Sequence, residues 1–517
     1  MRIPYLWVDA LCILQDDAEE KVKLIGIMDQ IYGAAVVTLV AAEGTNSNAG
    51  LPGVRIAEKA RTNYKYSDKR IGPWVLSMAA EDLLSIQRQA LWTKRGWTFQ
   101  EKIMSKRLLI FGKTQCYFWC NSGLLQEDIH LETDPRRHEI DICMFKKATD
   151  KHLGRTCSPL NSYPLRNYDE AVSAYISRRL TYAQDALSAF RGIANMLEAT
   201  LGNMFWYMPE RAWSMCMSWH WVDARVAPEH FPDAFVARPS DAADGEEDDN
   251  PNKGAVAAGS APLFPSWSWL SSMSRCPFKV GAFVPLRGEH HPRFVYHKVD
   301  AIDGSPCKIV SDVTSAEEYL RDAYSLDDEP AGAGASDWLR DYTDHDGAVP
   351  SVHIAAGETT IEDPSRPDGY WSHTDPDRLV IYRREPCPLD HLLVFWAPSY
   401  YLHVDAEPVE KYTLDSALAP ERSQQVSPES LVPGYRTYLV RASSELQLLG
   451  QVILPQKWRG DIKDAQQFIM IATDTTRADL MLIEWDAGLA KRVQVIRGVK
   501  LCDLDQVSSS LEMIVLA

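Results

Sequence analysis

The first forty residues constrain the fold of this chain more than any other stretch. Residues 5–13 (YLWVDALCI) form an apolar, aromatic and β-branched run of strand length, broken only by Asp9. After Gln15-Asp16-Asp17, the residues Val22, Ile25, Met28, Ile31 and Tyr32 recur at three- and four-residue steps, the period of an amphipathic helix. Asp16 and Glu19 have capping-box spacing, and acids suit the positive end of a helix dipole. Residues 36–42 make a second strand-like run, and residues 45–53 (TNSNAGLPG) are a loop by composition. This order predicts a βαβ unit: 5–13 and 36–42 as adjacent parallel strands, with a helix over 19–32 crossing right-handedly between them. Loops at the carboxyl ends of such strands form the ligand crevice.

A second block begins at Leu91. Arg95-Gly96-Trp97-Thr98-Phe99-Gln100-Glu101 precedes two strand-like runs at 108–111 and 115–120. From Tyr168 the pattern turns helical. Leu187, Phe190, Ile193, Leu197 and Leu201 form one apolar stripe behind Asp185, a suitable N-cap. Trp206, Trp213, Trp219 and Trp221, then Trp267 and Trp269, make an aromatic cluster that reads first as packed core. Residues 239–262 are Ala, Gly, Asp and Glu with almost nothing to bury, a disordered loop by composition, and 324–346 are similar. The last third differs. Runs at 379–382, 392–396, 438–441, 449–454, 468–472, 480–485, 493–496 and 513–516 predict a mostly antiparallel β-rich region from about residue 265 onward.

Composition removes several function classes. With 45% hydrophobic and 24% charged residues in 517, the chain is of ordinary globular make-up. Its net charge is −17, yet residues 1–125 hold 16 basic against 12 acidic side chains. An acidic chain without a dense basic stripe is a poor nucleic-acid ligand, because phosphate neutralisation supplies most of that affinity. No apolar run approaches the roughly twenty residues of a membrane span, and no export signal opens the sequence, so the expected location is cytoplasmic. Ten scattered cysteines suit reduced thiols. Cys116 and Cys120, with His130 beyond, lack a second ligand pair at zinc spacing, so no metal site is expected. A G-x-G-x-x-G turn, a complete Walker loop, a G-x-S-x-G elbow and an H-E-x-x-H helix are all missing.

The carboxylates of the first unit remain as candidates. Asp9 interrupts an apolar run, where an unpaired carboxylate is costly, so it carries either a structural partner or a function. Asp16, Asp17, Glu19 and Glu20 stand at the strand-to-helix junction, where the plain reading is helix capping. Arg95 and Glu101 flank Trp97 and read plainly as an ion pair. Trp97 is bulky and apolar, so it is expected to pack under the first unit, with Arg95 or Glu101 facing the same crevice as Asp16.

These blocks resemble a known family. Residues 5–16 (YLWVDALCILQD), Met28-x-x-Ile31-Tyr32-x-x-Ala35, Arg95 to Glu101, and Ser105-x-Arg107 look like the fungal heterokaryon incompatibility (HET) domain, over residues 1 to about 125. Arg179-Leu180-Thr181-Tyr182-x-x-Asp185-Ala186-Leu187-x-Ala189-Phe190-x-Gly192 and the 264–269 run resemble segments commonly found C-terminal to this domain in long fungal proteins. The family's opening block is not found ahead of residue 5. The resemblance therefore implies an α/β N-terminal domain, TIR-like or flavodoxin-like with an incomplete parallel sheet, then a helical segment and a β-rich C-terminal region. The expected divisions are a HET domain at 1–125, a helical and Trp-rich extension at 126–238, the acidic loop at 239–262 and the β-rich region at 263–517. The implied role is non-self recognition ending in programmed cell death, through a protein partner or self-association. Distant similarity of the family to TIR domains implies an alternative, NAD glycohydrolysis with NAD as substrate rather than resident cofactor. Glu19 is then the catalytic glutamate with Asp16 and Asp9 beside it, and Arg95, Trp97 and Glu101 bind the ligand. A further alternative is a non-catalytic scaffold.

Overall fold

The computed structural model describes residues 3–14, 16–44, 47–54, 69–76, 83, 86, 90–120, 123–127, 164–176, 178–219, 221–222, 264–272, 279–280, 294–300, 306–309, 351–355, 358–362, 380–382, 389–405, 407–408, 412–413, 425–426, 435–443, 447–455, 465–473, 477–486 and 489–517. The chain divides into two compact units, Met1–Thr200 and Leu201–Ala517. The acidic stretches at 239–262 and 324–346 lie outside the described residues.

A four-stranded sheet carries the first unit, in the spatial order β1 (Thr38–Ala41), β2 (Arg107–Phe111), β3 (Cys116–Cys120) and β4 (Gly123–Gln126). β1 and β2 run parallel, with Val40 opposite Ile110. The β2–β3 and β3–β4 pairs are antiparallel. The sheet is thus mixed, where the sequence predicts a parallel one. Only residues 112–115 separate β2 from β3, far too few for a crossover, so the chain must return as a hairpin. Val40, Leu108, Ile110, Tyr117 and Trp119 fill one face of the sheet, together with Leu83 and Ile86.

Residues 5–13 do not form the expected strand. They run as coil into a single helical turn, α1 (Asp9–Cys12), with Tyr5 88% and Leu11 81% exposed. Asp9 Oδ1 accepts from the Ala10 N–H at 2.7 Å, a local bond that favours a turn over a ladder. Among the described residues the only strand paired with β1 is β2, so the parallel partner comes from the second sequence block. The helix expected at 19–32 is two helices, α2 (Ala18–Gly26) and α3 (Met28–Ala34), broken at Gly26-Ile27. Its N-cap is Asp17, whose Oδ1 accepts from the Glu20 N–H at 2.9 Å, one residue later than the Asp16–Glu19 pair. Among the described residues the unit has four further helices: α4 (Leu91–Lys94), α5 (Thr98–Met104), α6 (Pro164–Ile176) and α7 (Asp185–Leu201). The predicted stripe of α7 is its core face, with Phe190, Ile193 and Leu197 at most 1% exposed.

In the second unit every one of the eight predicted strand runs lies on a strand. β5 (Met204–Phe205) and β6 (Met208–Pro209) form a hairpin whose two turn residues, Trp206 and Tyr207, have φ of 49° and 59°. That primed turn suits the twist of a two-residue hairpin, though Asn-Gly is its usual occupant. Next in the chain comes α8 (Trp213–Met217). Further on, β7 (Leu393–Val404) is followed by β8 (Tyr435–Arg441), β9 (Leu448–Pro455), β10 (Gln466–Thr473), β11 (Arg477–Asp486) and β12 (Leu489–Lys500). A short helix, α9 (Leu501–Leu504), leads into β13 (Ser509–Leu516). β7 pairs antiparallel with both β10 and β13, β10 to β12 form a meander, and β12 meets β13 in parallel at Ala490 and Leu516. The path therefore closes into a five-stranded ring, which leaves no open edge in the ring itself. Four of the six tryptophans are core, as read: Trp213, Trp219, Trp267 and Trp269 are buried, while Trp206 is half-buried. Indole N–H groups donate to main-chain oxygens, Trp219 to Trp267 and Trp206 to Asp390, both at 2.7 Å.

Candidate functional site

The segment from Arg95 to Glu101 leads from α4 into α5, and most of it is held by α6, α7 or the residues between them. The Gly96 N–H donates to Arg179 O at 2.7 Å and the Arg179 N–H to Lys94 O at 2.6 Å, a short parallel bridge. A Cβ at Gly96 would run into the Leu180 side chain, 2.9 Å from its Cγ. Thr98 Oγ1 donates back to Arg95 O, and Phe99 stacks on Tyr175 with ring centroids 5.8 Å apart. Gln100 is fully buried and brackets one turn of α7: its Nε2 donates to Ser188 O at 3.0 Å and its Oε1 accepts from the Gly192 N–H at 3.1 Å. That close approach requires Gly192, where a Cβ would strike Gln100 Oε1 and lie 2.8 Å from Asp29 Cβ.

Arg178 is buried behind this segment. Its Nη1 donates to Arg95 O at 3.0 Å, and its guanidinium lies 4.5 Å over the Phe99 ring. Burial pushes its pKa down, opposed by the nearby Tyr175 and Glu101. Among the described residues its Nε has no hydrogen-bond partner.

Glu101 points the other way, toward α3. Its Oε2 accepts from the Trp92 indole N–H at 3.1 Å, and it is hydrogen-bonded to the Tyr32 hydroxyl. Desolvation lifts the carboxyl above the ordinary range. The Trp92 hydrogen bond, Arg95 and Arg178 hold it back, and the Asp9 charge raises it further. Tyr32 is itself pushed up, by burial first and then by Glu101 and Asp9. Trp7 meets Tyr32 edge-on at 5.6 Å. The cluster therefore combines two carboxylates, one of them desolvated, with three aromatic side chains and two guanidiniums. Such a setting can hold a proton or stabilise a developing positive charge.

The structure distributes the residues singled out from sequence unevenly. Asp9 and Glu101 come together, with Arg95 acting on Glu101 from an exposed position. Asp16 is exposed on the bend before α2. Glu19 is 83% exposed and lies 2.8 Å from Lys23 Nζ one turn on, and neither it nor Asp16 is among the charges acting on Glu101. Trp97 does not pack under β1. Its indole N–H donates to Asp185 Oδ2 at 3.3 Å, and Trp92 is the tryptophan that packs against the sheet's core. Sequence reasoning missed Tyr32, Trp92 and Arg178. Tyr32 had a signal, a hydroxyl on an otherwise apolar helix face, whereas Arg178 had none. Cys116 and Cys120 share a strand as read; His130, His220, His290 and His291 lie outside the described residues.

Residues 1–101 match the family described as Heterokaryon incompatibility protein (HET). No curated protein and no solved structure matches the chain. The match ends on Glu101, so it takes in the whole Arg95–Glu101 segment.

Proposed function

We propose that this chain acts in heterokaryon incompatibility, with its first unit as the effector of the death response triggered by non-self recognition between fused fungal cells. The family match over residues 1–101 carries this reading. Packing supports it: residues 95–100 are tied to α6, α7 and the residues between them, while Glu101 is left facing Tyr32 and Asp9, an arrangement a purely structural segment does not need. The test is inducible expression of the full chain in a fungal host, scored for growth. Loss of viability is expected, and Glu101→Gln should abolish it while the protein accumulates normally. Normal growth with abundant folded protein would leave only a scaffold role.

A second reading is favoured by the Glu101 carboxyl itself. If the domain cleaves NAD, a carboxylate must stabilise the oxocarbenium-like ribosyl group as nicotinamide leaves, the demand that glycosidase carboxylates meet. Glu101 with Asp9 fits this better than Glu19, which is exposed and paired to Lys23. Cellular NAD should then fall before viability does, Glu101→Gln should preserve NAD, and Glu19→Gln should behave as wild type. Killing at constant NAD would exclude this chemistry.

A further inference from the structure

A buried guanidinium is kept only where something offsets its lost hydration, most often a carboxylate in contact. Arg178 has no such contact. It is 7% exposed, makes no ion pair among the described residues, and leaves its Nε without a partner there. What it does hold belongs to one short stretch. Its Nη1 donates to Arg95 O and reaches Thr98 Oγ1 at 3.4 Å, and the guanidinium covers the Phe99 ring.

That stretch leads to Glu101. Thr98 opens α5, and its hydroxyl lies between Trp92 O and Arg95 O as donor to both. Trp92 is thereby held at two points, by its carbonyl at Thr98 and by its indole N–H at Glu101 Oε2. Thr98 and Glu101 are three residues apart on α5, neighbours on one side of the helix. A chain of contacts thus runs from Arg178 through Thr98 and Trp92 to the carboxyl.

The remaining groups around Glu101 leave one role open. α1 brings the Asp9 charge, α3 the Tyr32 hydroxyl and α4 the neutral Trp92 indole, while Tyr175 of α6 stands near Arg178. Of the two cations acting on Glu101, Arg95 is exposed and Arg178 buried. Solvent and salt screen the first far more than the second.

We infer that Arg178 is the positioning residue of the Glu101 site: it fixes the first turn of α5 and supplies the buried positive charge against which the carboxyl ionises. This role rests on Glu101 being the working group of the proposed death response, and it adds a residue well beyond the family-matched stretch 1–101.

The Trp92 indole N–H reads Glu101 directly, because its hydrogen bond ends on the carboxyl. With tryptophan nitrogens isotope-labelled in the full chain, its magnetic resonance signal is assigned by Trp92→Phe. That signal should titrate between roughly pH 4 and roughly pH 9, the span of carboxyls from solvent to full burial, and Glu101→Gln should stop it. Arg178→Gln keeps an N–H donor for Arg95 O and drops the charge; Arg178→Met drops both. Each should raise the midpoint by about one pH unit, a tenfold gain in proton affinity. Arg191→Gln, at an exposed charge on α7, should leave the midpoint in place. A residue that only braces the fold would lower the melting temperature in both variants without moving the midpoint. That result overturns the inference, as does an equal shift in Arg191→Gln. Should neither variant at 178 accumulate, the wild-type chain gives the answer: a slowly exchanging arginine Nε–H signal must follow the Trp92 midpoint and stand still in Glu101→Gln. Finding none overturns the inference too. The titration is read whether or not the chain kills. A killing chain with an unmoved midpoint sinks only the role of Arg178, and a chain that titrates as expected without killing sinks only the death reading.

Discussion

A carboxyl that loses water without gaining a full counter-charge holds its proton more tightly, and at Glu101 this becomes a statement about stability. The folded chain binds that proton better than the unfolded one, because burial lifts the folded pKa. Unfolding free energy therefore falls as pH rises from the ordinary carboxylate range through the folded value, by about 1.4 kcal/mol for each tenfold difference in proton affinity. Glu101→Gln keeps an acceptor for the Trp92 indole and carries no charge at any pH. Its melting temperature relative to wild type should thus be more favourable at pH 7.5 than at pH 4.5, read by calorimetry at both; the opposite slope would mean that Arg95 and Arg178 outweigh desolvation. A second residue-scale expectation concerns Gly192. Adding a methyl group there forces Gln100 and Asp29 aside, so Gly192→Ala should cost about 1–3 kcal/mol in denaturant unfolding. Gln100→Ala should make the same substitution less costly, since one of the two obstructing side chains is then gone.

At the scale of elements, the second unit depends on one cation. Arg492 of β12 is buried, its Nη1 donating to Met217 O at 2.7 Å and its Nη2 to Trp219 O, with the guanidinium 3.7 Å over the Trp219 ring. It ties the end of α8 to the strand ring. Arg492→Leu leaves two buried carbonyls without donors and should cost about 2–3 kcal/mol or more. Arg492→Lys should recover little, because a point charge cannot fork between two oxygens while stacking on a ring. The strands of this unit were legible because each is a short β-branched or aromatic run between polar turns, as at residues 480–485 and 513–516. The stripe of α7 was legible for the same reason: one period persists over seventeen residues. Residues 5–13 misled because strand composition needs a strand neighbour to become a ladder, and periodicity is blind to neighbours. Asp17 rather than Asp16 caps α2 because two adjacent acids offer the same chemistry, and only the backbone's entry angle chooses between them. The site was half legible. Asp9 stood out as a charge in an apolar run and Glu101 as a charge flanking Trp97, but Tyr32, Trp92 and Arg178 are united by packing between segments distant in sequence.

For the whole molecule, two compact units predict two unfolding events rather than one. Gly192→Ala should lower only one transition and Arg492→Leu only the other, tracked by calorimetry of the full chain; a single transition shifted by both changes would show that the units unfold as one. The Gln100 bracket on α7 also bears on how such proteins diverge. A match to the family stops at residue 101, yet Gln100 has meaning only beside a glycine some ninety positions later. Lengthening the connection between two such parts is cheap, since each doubling of a loop costs only about 0.6 kcal/mol. Selection can therefore let the intervening stretch drift in length and content while it guards both ends. The heritable signature of this module is then a pair of words with an elastic space between them, and relatives should be sought by the pair.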